Sequence, residues 1–568
     1  MPATLFRGGR IRADFDGVVH DSLLARDGRV AAVGSASDVR AAIDKVDGGD
    51  RVDDIVETVD LGGAWVVPGL VDAHPHLLHF GVAAAGLADL SDADDHDDIV
   101  AAIAAVASGR APGEWVMATP VGEPHYFFRR GHQHLREGAL PDRVTLDGAT
   151  VRHPVMIQAW SPTMPNVCAL NSAGLVALGI NAMSPDRVAD VWIEKDAAGV
   201  PTGRLFGAVT TNYNTDPFFR EILLRLPGPP PNLVEHATLQ AIAAHHRLGI
   251  TAVYEPHAME PRHIDVYRRL RDSGRLTMRV KAVPEYQRFT RPSDHQKSMA
   301  ELASTLHGAL AAVDVGDDWV RTEGITVSIG GTCAPGNMPW PMTYRDVFGH
   351  ETNGRWFISH DAIEQAVEFC AREGLRLNVC AMGPAEHDVL LGLIERHRVR
   401  AGIVQHGALM PLAHARRWAA SGFRQTICCG FTWGKGDVYR NAFGSESIAD
   451  LNPLRRLLDA GLTLAASTDW GPKNPWEQMW LAQTHVLGHS GIRNDGPDQV
   501  VTRAEALGMW TTGGAAVLDW PELGRLRVGG YADLVVVDRD PLTCGLDDLA
   551  GVAVLATLTA GRPAFTAR

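Results

Sequence analysis

Between residues 67 and 510 the sequence repeats one pattern: a short apolar run of strand length, then a longer stretch that reads as helix. This alternation builds parallel sheets, because parallel neighbours need a crossover connection, usually helical. Strand candidates fall at residues 66–72, 249–255, 278–284, 324–329, 376–380, 402–405, 424–427 and 463–467. Eight is the number that a closed TIM-like (β/α)8 barrel needs. The expected fold class is therefore α/β, a TIM-like (β/α)8 barrel. The wide gap between the first two runs holds a large insertion, at about residues 85–240. Another strand-like run, 154–160, lies inside it, and Pro227-Gly228-Pro229-Pro230-Pro231 forms a stiff segment near its end.

Both ends of the chain read as short strands. Residues 18–25 and 30–33 flank Arg26-Asp27-Gly28-Arg29, a hairpin signal. Residues 524–538 predict two strands across the turn Gly529-Gly530, and 552–559 with 562–565 predict two more around Ala560-Gly561.

The net charge of −14 over 568 residues disfavours a nucleic-acid binder, which would present a basic face. The seven cysteines are an odd count in a long chain and do not resemble a disulfide framework. The start lacks the basic-then-apolar pattern of a secretory signal, and no apolar run reaches 18 residues. A cytoplasmic protein with no membrane partner and a small-molecule substrate is the expectation.

The strongest chemical motif is Pro68-Gly69-Leu70-Val71-Asp72-Ala73-His74-Pro75-His76. A buried strand here delivers two imidazoles two residues apart. Side chains i and i+2 of an extended strand point the same way, so both rings can reach one cation. Neutral imidazole suits zinc-like metals. Asp469 follows the apolar run 462–466, at the end of the last strand candidate. His406 closes the run 401–405.

These segments resemble the amidohydrolase superfamily, in particular the branch of N-substituted formamide deformylase-like metal-dependent hydrolases. The first-strand His74-Pro75-His76 carries the likeness. So do Leu170-Asn171-Ser172 and Asp196 through Gly203 in the insertion, Gly249-Ile250-Thr251-Ala252-Val253, Ser467-Thr468-Asp469-Trp470, and the C-terminal stretch from Thr502 to Val537. The resemblance covers nearly the whole chain. It implies a small composite β domain from residues 1–66 and 520–568, around a barrel spanning 67–519. It also implies that Asp469 and His406 ligate metal, that Asp469 takes the proton from the attacking water, and that the protein is a homodimer.

The sequence departs from that branch at three strand ends. Thr326 stands where the branch has a bridging lysine, Cys380 where it has an imidazole, and Gln405 where it has a glutamate. One divalent metal, Zn2+ by the chemistry of its ligands, is therefore expected in preference to two. Its ligand candidates are His74, His76, His406 and Asp469, with Cys380 and Glu255 as further possibilities. Cys380 reads equally as a buried small residue, and Glu255 as half of a salt-bridged loop pair with His257. His257, Trp160 and Trp470 are candidate substrate contacts, and Trp433 lies near a strand end as well. Cys428 and Cys429 adjoin the seventh run but point to opposite sides. His125, His132 and His134 read as a loop cluster. The expected activity is hydrolysis of a non-peptide C–N bond in an amide, formamide, carbamate or cyclic amide. The alternatives are a mononuclear aminohydrolase acting on a heterocycle and a degraded barrel that binds without turnover.

Overall fold

In a computed structural model, the described residues are 3–15, 17–46, 55–122, 130–160, 164–289 and 291–567, with the side chains of 44–46 and 55–56 left aside. His125 lies outside them. Eight strands of the middle region form the frame of the site: β1 (Leu70–Asp72), β2 (Ile250–Glu255), β3 (Arg279–Ala282), β4 (Ile325–Ser328), β5 (Leu377–Ala381), β6 (Gly402–His406), β7 (Phe423–Ile427) and β8 (Leu464–Ala466). They lie in two sheets with every named neighbour parallel. One runs from the short strand Val320–Arg321 through β3 and β2 to β1, and the other runs from β4 through β5, β6 and β7 to β8. Backbone hydrogen bonds join the sheets at both seams. Thr326 N–H donates to the Pro284 carbonyl and Tyr286 N–H to the Thr326 carbonyl, at 3.0 and 2.8 Å; Ala73 N–H donates to the Ala466 carbonyl at 3.1 Å.

Strands β2 to β5 are buried along their whole length, and apolar residues dominate them, with Lys281, Thr326 and Asn378 among the buried polar exceptions. Val71, Ala252, Ile403 and Ala465 pack inward on Tyr254, Val517 and Trp520, while Val253, Val280, Val327 and Val379 pack outward on the helices. One end of the frame is sealed by cations. Lys281, Arg376 and Arg424 donate to the carbonyls of Leu518, Val517 and Ala516, at the C-terminal end of helix Thr512–Val517. Cations there offset the negative end of the helix dipole. The opposite end, where the strands finish, carries the candidate site.

The first strand candidate is split in two. Trp65–Pro68 joins the terminal sheet and Leu70–Asp72 joins β2. Gly69 makes the switch possible, since a Cβ there would lie 2.2 Å from Thr251 Oγ1, and its N–H donates to the Asp533 carbonyl. The terminal sheet runs in the order Arg562–Thr566, Val554–Thr559, Leu534–Val537, Trp65–Pro68, Ala3–Ile11, His20–Arg26, Arg29–Gly34, so strands from both chain ends pair within it. Asp27 and Gly28 both take positive φ, 52° and 77°, as a two-residue hairpin loop requires. Residues 524–530 form turns and no strand, correcting the expectation of two strands in 524–538. The insertion forms its own six-stranded sheet, with Val155–Ile157 paired to Val116–Ala118 and Asn166–Leu170. Among the described residues no helix is long and apolar enough to cross a membrane.

Several histidines are structural. His246 ends helix Val234–His246, with its ring between the Ile250 carbonyl at 2.9 Å and Thr277 Oγ1 at 3.0 Å. Burial pushes its pKa down to about 4. The unfolded chain therefore binds a proton near pH 6.5 that the folded chain refuses until about pH 4. The resulting stability is whole above pH 6.5 and is lost as pH falls towards 4. On the order of 1–3 kcal/mol is at stake. Melting midpoints measured from pH 7 down to 4.5 should fall less steeply in His246→Gln than in the wild type; parallel slopes would show that His246 does not act this way.

Candidate metal centre

The site begins with Asp72, the last residue of β1. Its buried carboxylate accepts from His74 N–H at 3.1 Å, Thr468 N–H at 3.0 Å and Thr468 Oγ1 at 2.5 Å. Burial pushes its pKa up to about 6, against the pull of these donors. The chain after β8 is thereby fastened to the chain after β1. Asp469 N–H donates to the His74 carbonyl and Gly471 N–H to the Pro75 carbonyl, both at 2.8 Å. Lys473 Nζ turns back onto the carbonyls of Thr468 and Trp470, at 2.7 and 3.2 Å, and onto that of Asp469.

These bonds bring His74, His76 and Asp469 together, and the end of β6 adds His406. His74 Nε2 lies 3.2 Å from His76 Nε2, and His76 Nε2 lies 3.2 Å from Asp469 Oδ1. One ligand atom each from His74, His406 and Asp469 lie within 4.8 Å of one another. All four side chains are buried. The Nδ1 atoms of His74, His76 and His406 have no hydrogen-bond partner among the described residues. Three imidazoles and a carboxylate converging in a desolvated space are the donor set of a divalent cation such as zinc. Burial holds the imidazoles neutral: His74 falls well below its ordinary value and His406 falls to about 3. Burial pushes the Asp469 carboxyl up, but the hydrogen bond from His76 and the electrostatic pull of the surrounding histidines outweigh it and hold the group well below the ordinary carboxylate range.

The backbone is strained here. His76, His406, Asp469 and Trp470 have φ of 51°, 66°, 51° and 45°, a region that non-glycine residues rarely enter. Such conformations cost about 1–3 kcal/mol each and gather at functional sites.

The remaining candidates separate. Cys380 ends up in the wall of a pocket of about 110 Å³ beside the centre, with His76, His257, His406 and Asp469. Burial pushes its thiol well above the ordinary value, so it stands as a neutral wall residue outside the convergent group. Glu255 turns away from that pocket. It alternates with the inward Tyr254, and its Oε1 accepts from Leu78 N–H at 2.9 Å and Tyr267 Oη at 2.6 Å. The suggested Glu255–His257 pair is replaced by another: His257 Nδ1 lies 3.0 Å from Glu285 Oε1. Trp470 lines the pocket and packs 5.7 Å from His76. Trp160 sits behind it, against Phe80. Trp433 packs on Gly488 and on the outer core. Cys428 and Cys429 fall in different apolar clusters. His132 and His134 occupy a short 3-10 turn, where His134 Nδ1 accepts from Gly131 N–H.

Several pocket residues were not evident from the sequence. Glu285, just beyond β3, holds His257 and also accepts from Ser328 Oγ at 2.5 Å and Ala258 N–H at 2.5 Å. Burial depresses the His257 pKa, but Glu285 outweighs it and raises the imidazole overall. Tyr213, from the insertion, stacks on His257 with centroids 5.7 Å apart. Lys435 sits over the Phe431 ring, which stacks on His406.

A family model described as the amidohydrolase family matches residues 57–565. The N-substituted formamide deformylase of Arthrobacter pascens is 26% identical over 561 residues, covering 95% of this chain and 94% of that protein. The putative amidohydrolase YtcJ of Bacillus subtilis is 24% identical over 515 residues, covering 85% and 86%. Among solved structures, an uncharacterized metal-dependent hydrolase from Pyrococcus furiosus superposes with a TM-score of 0.69 at 22% identity, covering 95% of this chain and all of that one. The chain belongs to the amidohydrolase family. It is a hydrolase acting on carbon–nitrogen bonds other than peptide bonds.

Deleting the Asp72 carboxylate strands three donors in a buried space. Asp72→Ala should destabilise the protein by about 3 kcal/mol and Thr468→Val by about 1 kcal/mol, at about 1–3 kcal/mol per group left unsatisfied. Guanidinium unfolding followed by tryptophan fluorescence checks this; unchanged midpoints in both variants would remove Asp72 from its fastening role.

Proposed function

We propose that the eight strands form a TIM-like (β/α)8 barrel carrying a small β domain built from both chain ends, and that the protein hydrolyses an amide-type C–N bond at a single divalent cation. The convergence of His74, His76, His406 and Asp469 carries this reading. These four side chains would hold the ion, zinc by the character of its ligands. A bound cation there would lower the pKa of water from ~15.7 towards ~7 and polarise a carbonyl.

The chain's own groups supply the proton transfers and the positioning. Asp469, ionised at neutral pH, accepts the proton of the attacking water and passes it to the departing nitrogen. His257, oriented through Nδ1 by Glu285, presents its other nitrogen towards the pocket and holds the substrate oxygen or the leaving group. Trp470 and Phe431 form apolar walls that keep bulk water from the reacting atoms. The chemistry fits amides, formamides, carbamates and cyclic amides. The likeness to a formamide deformylase favours N-substituted formamides as the first substrates to try.

The test is release of formate and amine from a panel of N-alkylformamides by the metal-loaded enzyme. Asp469→Asn should lower kcat at least about a thousandfold, since it removes a proton acceptor worth 10²–10⁴ together with a ligand charge. Glu285→Gln, which loosens His257 while leaving the four ligand candidates in place, should cost about ten- to a hundredfold. Turnover surviving intact in Asp469→Asn would contradict the mechanism.

A further inference from the structure

A second cavity, of about 450 Å³, adjoins the 110 Å³ pocket and shares Asn212, Tyr213 and Trp470 with it. Its described walls are mostly apolar. Ala85 and Leu87 follow the helix after His76, Trp115 and Met117 come from the insertion, and Leu223 and Leu226 close the far side. The proline-rich segment 227–230 forms a stiff rim. Arg110, also in the lining, donates to the Gly86 carbonyl at 2.7 Å.

Two of the residues shared by the cavities carry unsatisfied polar groups. Asn212 Nδ2 and Tyr213 Oη are buried there and have no hydrogen-bond partner among the described residues. Buried donors of this kind are costly unless a ligand satisfies them. The loop that carries them is fixed. Asn214 Nδ2 donates to the carbonyls of Ala208 and Thr210 at 2.7 and 2.8 Å, and Tyr213 is held at φ 53° with its ring flat against His257. A small pocket beside His406 and Asp469, a pair of unsatisfied polar groups and a roomier chamber, mostly apolar but with Arg110, Arg291 and His79 in its wall, thus adjoin one another.

We propose that the larger cavity is the subsite for an apolar substituent of the substrate. The substrate is then a two-part molecule. A small carbonyl end occupies the pocket beside His406 and Asp469, Asn212 and Tyr213 bind the polar atoms of the linkage, and an alkyl or arylalkyl group of about six or more carbons fills the chamber, whose volume lies in the range of whole small-molecule sites. This deepens the hydrolytic reading of the small pocket and rests on it. It assigns to the insertion the task of selecting the substituent.

The experiment titrates the metal-loaded protein with N-alkylureas from butyl to octyl, whose carbonyl is far less electrophilic than that of a formamide, following tryptophan fluorescence and calorimetric heat. Affinity should rise about two- to fourfold per methylene as apolar surface leaves water. Ala85→Trp, which fills the chamber, and Leu226→Arg, which adds a charge to it from a separate segment, should flatten the series, weakening octylurea at least about tenfold more than butylurea. Three results would overturn the proposal: no gain with chain length in the wild type, a gain that survives in both variants, or a terminal carboxylate on the octyl chain that tightens binding. If the ureas bind as expected and no N-alkylformamide is turned over, the reaction assigned to the small pocket fails and the subsite stands.

Discussion

The buried carboxylate of Asp72 is the constraint on which the rest depends. It joins the first strand of the parallel frame to the chain that follows the last, nearly 400 residues later in the sequence, through two backbone N–H groups and one hydroxyl. That clasp reinforces the backbone bonds from Ala73, Asp469 and Gly471 that also tie the two segments together, and with them places the imidazoles of His74 and His76 beside the carboxylate of Asp469. With it, Asp469 N–H reaches the His74 carbonyl, and the three side chains share one small space. The geometry of the centre rests on this buried polar network together with the backbone bonds beside it and the strand that carries His406. Such networks order a structure when every member is satisfied and weaken it when one is removed.

The centre itself opposes folding. Four residues hold left-handed backbone, three imidazoles are buried, and their Nδ1 atoms find no hydrogen-bond partner among the described residues. Burial also works against the charge on Asp469, which survives only because His76 and the neighbouring rings outweigh it. The surrounding structure offsets these costs. Lys473 gathers the carbonyls of the strained turn, the apolar walls pack tightly, and cations seal the far end of the frame. Strain of this kind persists where the scaffold over-determines it, and a bound cation would repay much of it, because desolvated imidazoles and a carboxylate gain most from a positive charge.

Much of the frame was legible in the sequence because strand burial on both faces leaves an unmistakable mark: short apolar runs separated by helical stretches. His74 and His76 do meet, but not by the strand alternation expected of them: both lie beyond β1, which ends at Asp72, and His76 takes a left-handed φ of 51° before the following helix, so a turn and not the pleat brings the rings together. Glu255 misled because the same alternation was not carried through β2, where Tyr254 faces in and Glu255 therefore faces the helices. The split at Gly69 was hidden because a continuous apolar run does not reveal which sheet each half joins; the clue was the glycine, whose missing Cβ admits Thr251. Glu285, Asn212 and Tyr213 left no signal at all. Their roles arise from contacts between segments far apart in sequence, and nothing local distinguishes a glutamate that orients an imidazole from one that meets solvent.

The claim that organises all of this is that His74, His76, His406 and Asp469 close around one divalent ion. The most direct test is elemental analysis by inductively coupled plasma mass spectrometry of the purified protein beside His406→Ala and Asp469→Ala, each first shown to be folded. The account expects a single divalent ion per chain in the wild type and its loss from both variants. Full occupancy persisting in both variants, or a folded wild-type chain that takes up no ion from zinc-containing buffer, would contradict it.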